Sequence, residues 1–131
     1  MKTVAILATL DTKADEAGFM RSEIESLGGQ ALLIDLSLVG ESELSADITK
    51  QDVISAGGGN LAELLVKPNR EQSNPFIVTG ATKIVKELQE SGKINAVVSL
   101  GGTQGTSTCA PILQALPYGF PKISIVGPQE G

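Results

Sequence analysis

The sequence predicts an α/β fold, a doubly wound, Rossmann- or flavodoxin-like parallel sheet of about four strands in the order 2-1-3-4. Three observations carry that prediction. Val4–Leu7 is a continuous aliphatic run, and Leu32–Leu36, Ala96–Leu100 and Ile123–Val126 are short, mostly aliphatic runs, as expected of buried strands. Stretches with apolar residues at three- and four-residue steps alternate with them. The connections are short, and right-handed crossovers make 2-1-3-4 the simplest arrangement of that chain order.

The first strand closes at Thr9–Leu10–Asp11, and Thr12 with Asp15 three residues later reads as an Asp-containing capping box opening the first helix. Ala17, Met20, Ile24 and Leu27 form its apolar face, and Gly28–Gly29 stops it. The second strand ends at Asp35 and the turn-prone Ser37. Residues 40–75 are the least regular, with short helices at Asp52–Ala56 and Leu61–Val66 split by Gly57–Gly59, then punctuation at Asn74–Pro75. Ile77, Val78, Ala81, Ile84, Val85 and Leu88 keep helical spacing as far as Ser91–Gly92. Gly101–Thr108 follows the third strand as a Gly/Thr/Ser loop. A helix through Ile112, Leu113 and Leu116 comes next and begins near Ser107–Thr108, since Pro111 is tolerated in a first turn. The fourth strand is left as a sheet edge, so the chain reads as a fragment of a larger two-domain protein.

Composition bounds the chemistry. At 131 residues, 41% hydrophobic and 19% charged, the chain is one domain, 1–131, with a buried core. Aromatic residues are only 3%, so that core is aliphatic. There is no histidine, which removes Ser-His-Asp and Cys-His catalysis, His-bound zinc and imidazole as a general base. One cysteine, Cys109, excludes an internal disulfide and suits a reducing cytoplasm. With no histidine or clustered cations nearby to activate it, Cys109 reads as a small buried side chain. A net charge of −5 without a basic run argues against direct nucleic-acid or membrane binding. The apolar start is read as a buried strand and not a targeting segment, because Asp11, Lys13, Asp15 and Glu16 end it with no small-residue cleavage site.

In a 2-1-3-4 sheet the C-terminal ends of strands one and three are neighbours whose following helices leave on opposite faces, and ligands bind in the crevice between them. Thr9-Leu10-Asp11-Thr12-Lys13 and Gly101-Gly102-Thr103-Gln104-Gly105-Thr106-Ser107-Thr108 both fall there. Glycines let backbone N–H groups approach an anion, and the next helix adds its N-terminal donors. Gly101, Gly102, Gly105, Thr103 and Thr106 therefore read as a phosphate cradle, although neither GxGxxG nor a Walker loop is present. The competing reading is a tight strand-to-helix turn. Lys13 could neutralise a phosphate and Asp11 could hold Mg²⁺ or a ligand hydroxyl; the alternative for Asp11 and Thr12 is helix capping, and for Lys13 solvation. Asp35 stands where Rossmann sites place a ribose-binding acid, with a turn cap as its other role.

These residues carry a resemblance. Val4-Ala5-Ile6-Leu7-Ala8-Thr9-Leu10-Asp11-Thr12-Lys13, Leu33-Ile34-Asp35, Val97-Val98-Ser99-Leu100-Gly101-Gly102-Thr103-Gln104-Gly105-Thr106 and Ala115-Leu116-Pro117-Tyr118-Gly119-Phe120-Pro121-Lys122 are collinear and span nearly the whole chain. Together they resemble the N-terminal part of the family of the tomato tobamovirus-resistance protein, an inhibitor of viral RNA replication. The resemblance implies a second α/β domain facing this one and ATP, or a similar nucleotide, between them. By position it implies that Thr9 to Lys13 and Gly101 to Thr106 contribute to that site.

The expected function is thus binding of a nucleotide, ATP with Mg²⁺, at the Gly/Thr-rich loop. No residue is assigned as catalytic or as a protein-held metal ligand. Two other readings stay open: a protein-interaction module in which the nucleotide orders a surface, and an enzyme acting on a small phosphorylated or carboxylated metabolite. A protein partner and a homo-oligomer are both compatible with the sequence.

Overall fold

The computed structural model describes residues 2–37, 46–66, 70–101, 111–117 and 119–126; of residues 11–13, 70, 71, 101 and 124–126 the backbone alone is described. The elements in chain order are β1 (Thr3–Ala8), α1 (Leu10–Ser26), β2 (Gln30–Asp35), α2 (Lys50–Ala56), α3 (Leu61–Val66), α4 (Arg70–Glu90), β3 (Ala96–Gly101) and β4 (Lys122–Val126). Residues 111–114 add one helical turn before β4. The strands form one parallel sheet in the order β2-β1-β3-β4, as expected from the sequence.

Alternation along the strands divides the core in two. Ile6, Ala8, Ala31, Leu33, Val98 and Leu100 face one way and pack under Leu10 and Ala17 of α1. Ala5, Leu7, Ile34, Leu36 and Val97 face the other way, beneath Val53 and Ile54 of α2, Ile77, Ala81 and Val85 of α4, and Ile112 and Leu116. β1, β2 and β3 each feed both clusters because successive side chains point to opposite faces. β1 is central, and Ala5 to Ala8 have no exposed surface.

The outer edge of β2 is closed by residues 46–48. The Asp47 carboxylate accepts the Leu33 N–H at 2.8 Å, the Leu33 carbonyl accepts from Asp47 and Ile48, and the Asp35 N–H donates to the Ile48 carbonyl. A side chain and a single bridge, Ile34 to Ile48, thus occupy backbone groups that would otherwise invite another strand.

The helix stops read from glycine hold. Gly28, Gly58 and Gly92 each take a positive φ just past α1, α2 and α4, with the paired 6→1 and 5→2 bonds of a Schellman turn. Gly57 and Gly80 have a different role, since they sit where α2 crosses α4. A Cβ on Gly80 would stand 1.7 Å from the Val53 carbonyl oxygen, and one on Gly57 2.1 Å from that of Phe76. Only two glycines let these backbones approach so closely.

Two expected boundaries fail. α1 starts at Leu10, not after Thr12, and the capping box that does close is Thr49 with Asp52, which starts α2 at Lys50. The Thr49 hydroxyl accepts the Asp52 N–H at 3.2 Å while the Asp52 carboxylate accepts the Thr49 N–H at 3.1 Å. α4 also runs straight through Asn74–Pro75. Pro75 has no N–H to return to the Glu71 carbonyl, but that loss falls in the second turn, and burial of the Ser73, Ile77, Ala81 and Val85 stripe keeps the helix in place.

Candidate functional site

The C-terminal rim of the sheet carries those predicted site residues that are described: Thr9, Asp11, Thr12, Lys13, Asp35 and Gly101. Ala8 pairs with Asp35, and Leu7 pairs with Ser99. Two residues past that second pair, Thr9 and Gly101 therefore leave the sheet side by side. α1 departs on one face and residues 111–114 return on the other, which makes the β1–β3 boundary the topological switch point. Gly101 is still within β3, opposite Val126, so the loop begins one residue later than its glycines suggested. Gly102, Thr103, Gly105 and Thr106 lie outside the described residues, as do Ser107, Thr108 and Cys109.

Thr9 is the N-cap of α1, in extended conformation, and its side chain does not close on the helix. The capping comes from the neighbouring strand. Asp35 follows Ala31 and Leu33 onto the α1 face, where its Oδ1 accepts the Leu10 N–H at 3.3 Å. The same oxygen accepts the Ser37 N–H at 2.9 Å and the Ser37 hydroxyl at 2.6 Å. Asp35 and Ser37 are both buried. Asp35 thus serves as a cap, one of the two roles its position allowed, and its negative charge sits favourably at the positive end of the helix dipole.

Asp11, Thr12 and Lys13 occupy the first turn of α1. The N–H groups of Asp11 and Thr12 have no carbonyl four residues back inside the helix, so they point out at the rim as anion donors. Asp35 biases where an anion would settle. Its carboxylate holds the β2 side of the helix end, leaving the β3 side, next to Gly101, as the side free of that repulsion. Among the described residues no cluster of three or more acidic, cysteine or histidine side chains could hold a metal ion. None of the described helices is long and apolar enough to cross a membrane.

Sequence reasoning missed two polar groups here. Ser37 completes an Asp-x-Ser turn, a local pattern that could have been read from spacing alone. Ser73 is buried on α4 and had no readable signal, because it lies in a stretch that resembled a loop.

Comparison with known proteins places the chain. Residues 2–127 match the family described as "Uncharacterised protein family (UPF0261) N-terminal domain". A UPF0261 protein of Clostridium tetani is 36% identical over 124 residues, 95% of this chain and 31% of its own length. One from Brucella suis is 31% identical over 122 residues, covering 93% of this chain and 29% of the relative, and one from Rhizobium meliloti is 28% identical over 125 residues. The chain spans about 30% of the length of these curated relatives. It belongs to the UPF0261 family, in the region of its N-terminal domain.

Proposed function

On the premise of that membership, we propose that this domain binds a nucleotide, ATP with Mg²⁺, across the β1–β3 boundary. One observation carries the reading: the N-terminal turn of α1 and the end of β3 meet at the switch point of a 2-1-3-4 sheet. The sequence that continues from β3, Gly102-Thr103-Gln104-Gly105-Thr106, is rich in the small and hydroxyl-bearing residues that a phosphate requires. In this reading the phosphates lie over Gly101, Gly102, Thr103, Gly105 and Thr106, with the Asp11 and Thr12 N–H groups and Lys13 closing the other side. Asp11 would hold the Mg²⁺ that accompanies the phosphates, and Thr9 belongs to the same site by its position at the end of β1. Asp35 acts through Leu10 by fixing the helix end. The resemblance to the family of the tomato tobamovirus-resistance protein favours ATP over other anions, and the lone cysteine fits a cytoplasmic protein.

A second reading has an observation of its own. Leu65 and Val66 on α3 are exposed, the latter at 80%, an apolar pair suited to a protein partner. The two readings are compatible if the nucleotide orders that surface.

Calorimetric titration with ATP, with and without Mg²⁺, is the test. ATP binds the wild-type protein, and Gly102→Asp abolishes binding by at least about tenfold, through lost backbone approach and added negative charge, while the thermal transition is retained. Unchanged ATP affinity in Gly102→Asp would move the site elsewhere.

A further inference from the structure

The inner stripe of α4 runs Ser73, Ile77, Ala81, Val85 at four-residue steps, and all four residues are 0% exposed. Three are core aliphatics, and the fourth carries a hydroxyl. Among the described residues Ser73 Oγ is the one buried side-chain polar atom with no hydrogen-bond partner. A helical serine normally returns its hydroxyl to the carbonyl one turn back or turns to water. Ser73 does neither, and a buried hydroxyl left unpaired opposes folding, whereas an alanine there would fit the stripe at no such cost.

Its position along the sheet explains why a hydroxyl would be kept. The turn through Ser91 to Asn95 carries the chain directly from the end of α4 to the start of β3. The 21 residues of α4 reach about 31 Å at 1.5 Å each, against about 20 Å for the six residues of β3. The first turns of α4, Ser73 among them, therefore lie at and beyond the C-terminal rim, on the face opposite α1. On that same face β3 carries Ser99, two residues after Val97, two before the strand's end and also buried. The rim thus has anion donors on its α1 side and hydroxyls on its α4 side.

We propose that Ser73 is a ligand-binding residue of this rim, whose hydroxyl pairs with the nucleoside half of the nucleotide, a sugar hydroxyl in the first instance. The assignment rests on the proposed function. A triphosphate held at the α1 side directs the remainder of the molecule across the rim, toward α4. The Oγ finds its missing partner when the sugar arrives, and the unpaired hydroxyl of the free protein is the cost of that complementarity.

Ser73→Ala in the full chain, titrated with ATP and separately with inorganic tripolyphosphate, tests this. ATP affinity falls about three- to tenfold, the worth of one neutral hydrogen bond. Tripolyphosphate affinity stays the same, and the melting temperature of the free protein holds or rises because the unpaired hydroxyl has gone. Ser73→Cys, close in volume and a weak donor, gives the same split if the alanine variant packs poorly. Unchanged ATP affinity or an equal loss for both ligands, in the alanine variant or in the cysteine variant where alanine packs poorly, would overturn the assignment. Wild-type protein that fails to bind ATP at all would remove the nucleotide reading and this one together. Wild-type binding with an indifferent Ser73→Ala would remove this one alone.

Discussion

Asp35→Ala offers the most direct probe of how the rim is held together. The substitution removes one oxygen that serves three donors: Ser37 N–H at 2.9 Å, Ser37 Oγ at 2.6 Å and Leu10 N–H at 3.3 Å. Hydrogen bonds to a charged acceptor contribute about 1.5–3 kcal/mol each, and the long one to Leu10 falls at or below the low end. The gross loss is about 4–6 kcal/mol, from which the relieved burial of a carboxylate returns roughly a third. The expected net cost is about 3 kcal/mol, or about 10 °C in melting temperature for a chain of this size. Asp35→Asn keeps the acceptor geometry without the charge and costs about 1 kcal/mol. Urea denaturation gives the two free energies, and amide exchange at Leu10 and Ser37 shows whether the protection lost is local. A cost below about 0.5 kcal/mol for Asp35→Ala, with Leu10 still protected, would refute the idea that this carboxylate caps α1 from the neighbouring strand.

Two further substitutions separate packing from conformation in the helical layer. Gly80→Ala drives a Cβ to 1.7 Å from the Val53 carbonyl and costs at least about 3 kcal/mol, since two helix backbones must part. Gly58→Ala meets nothing within 4 Å and costs only about 1 kcal/mol for its positive φ; equal costs in urea melts would contradict the crossing geometry. Thr49→Ala opens the capping box of α2 and costs about 1 kcal/mol, seen in the same melts; no effect would mean that the Asp52 carboxylate alone suffices as the cap.

Most of the fold was legible because it rests on local, repeated signals. Short, mostly aliphatic runs marked β1, β2, β3 and β4 to within a residue or two, and glycine marked the ends of α1, α2 and α4. The starts of helices were less readable. A Thr-x-x-Asp box occurs at both Thr12 and Thr49, and spacing cannot tell which one closes. It closes at Thr49 because α1 is already capped by an oxygen 25 residues away, on another strand. Pro75 misled for a related reason: a local breaker was overruled by a buried stripe that only the folded sheet supplies. The convergence of Thr9 and Gly101 followed from strand order alone. Ser37 and Ser73 became visible only once burial and partners were known.

The arrangement at the rim also explains how an acidic chain could hold an anion. Asp35 is the acidic side chain seen at the end of α1, yet it occupies one N–H and lies on the β2 side. The donors that remain in the first turn belong to Asp11 and Thr12, and the strand beside them is β3. In the proposed reading, the cap lies on one edge of this helix end and the donors for the nucleotide lie on the other. Asp35→Ala should therefore lower both the free energy of folding and ATP affinity, because a loosened first turn no longer presents its amides. Gly102→Asp should lower affinity alone. If Asp35→Asn, with the cap geometry kept, binds ATP more tightly than wild type, residual repulsion from the carboxylate reaches the phosphates. If affinity is unchanged, the phosphates lie wholly on the β3 side, as the electrostatics of the helix end require.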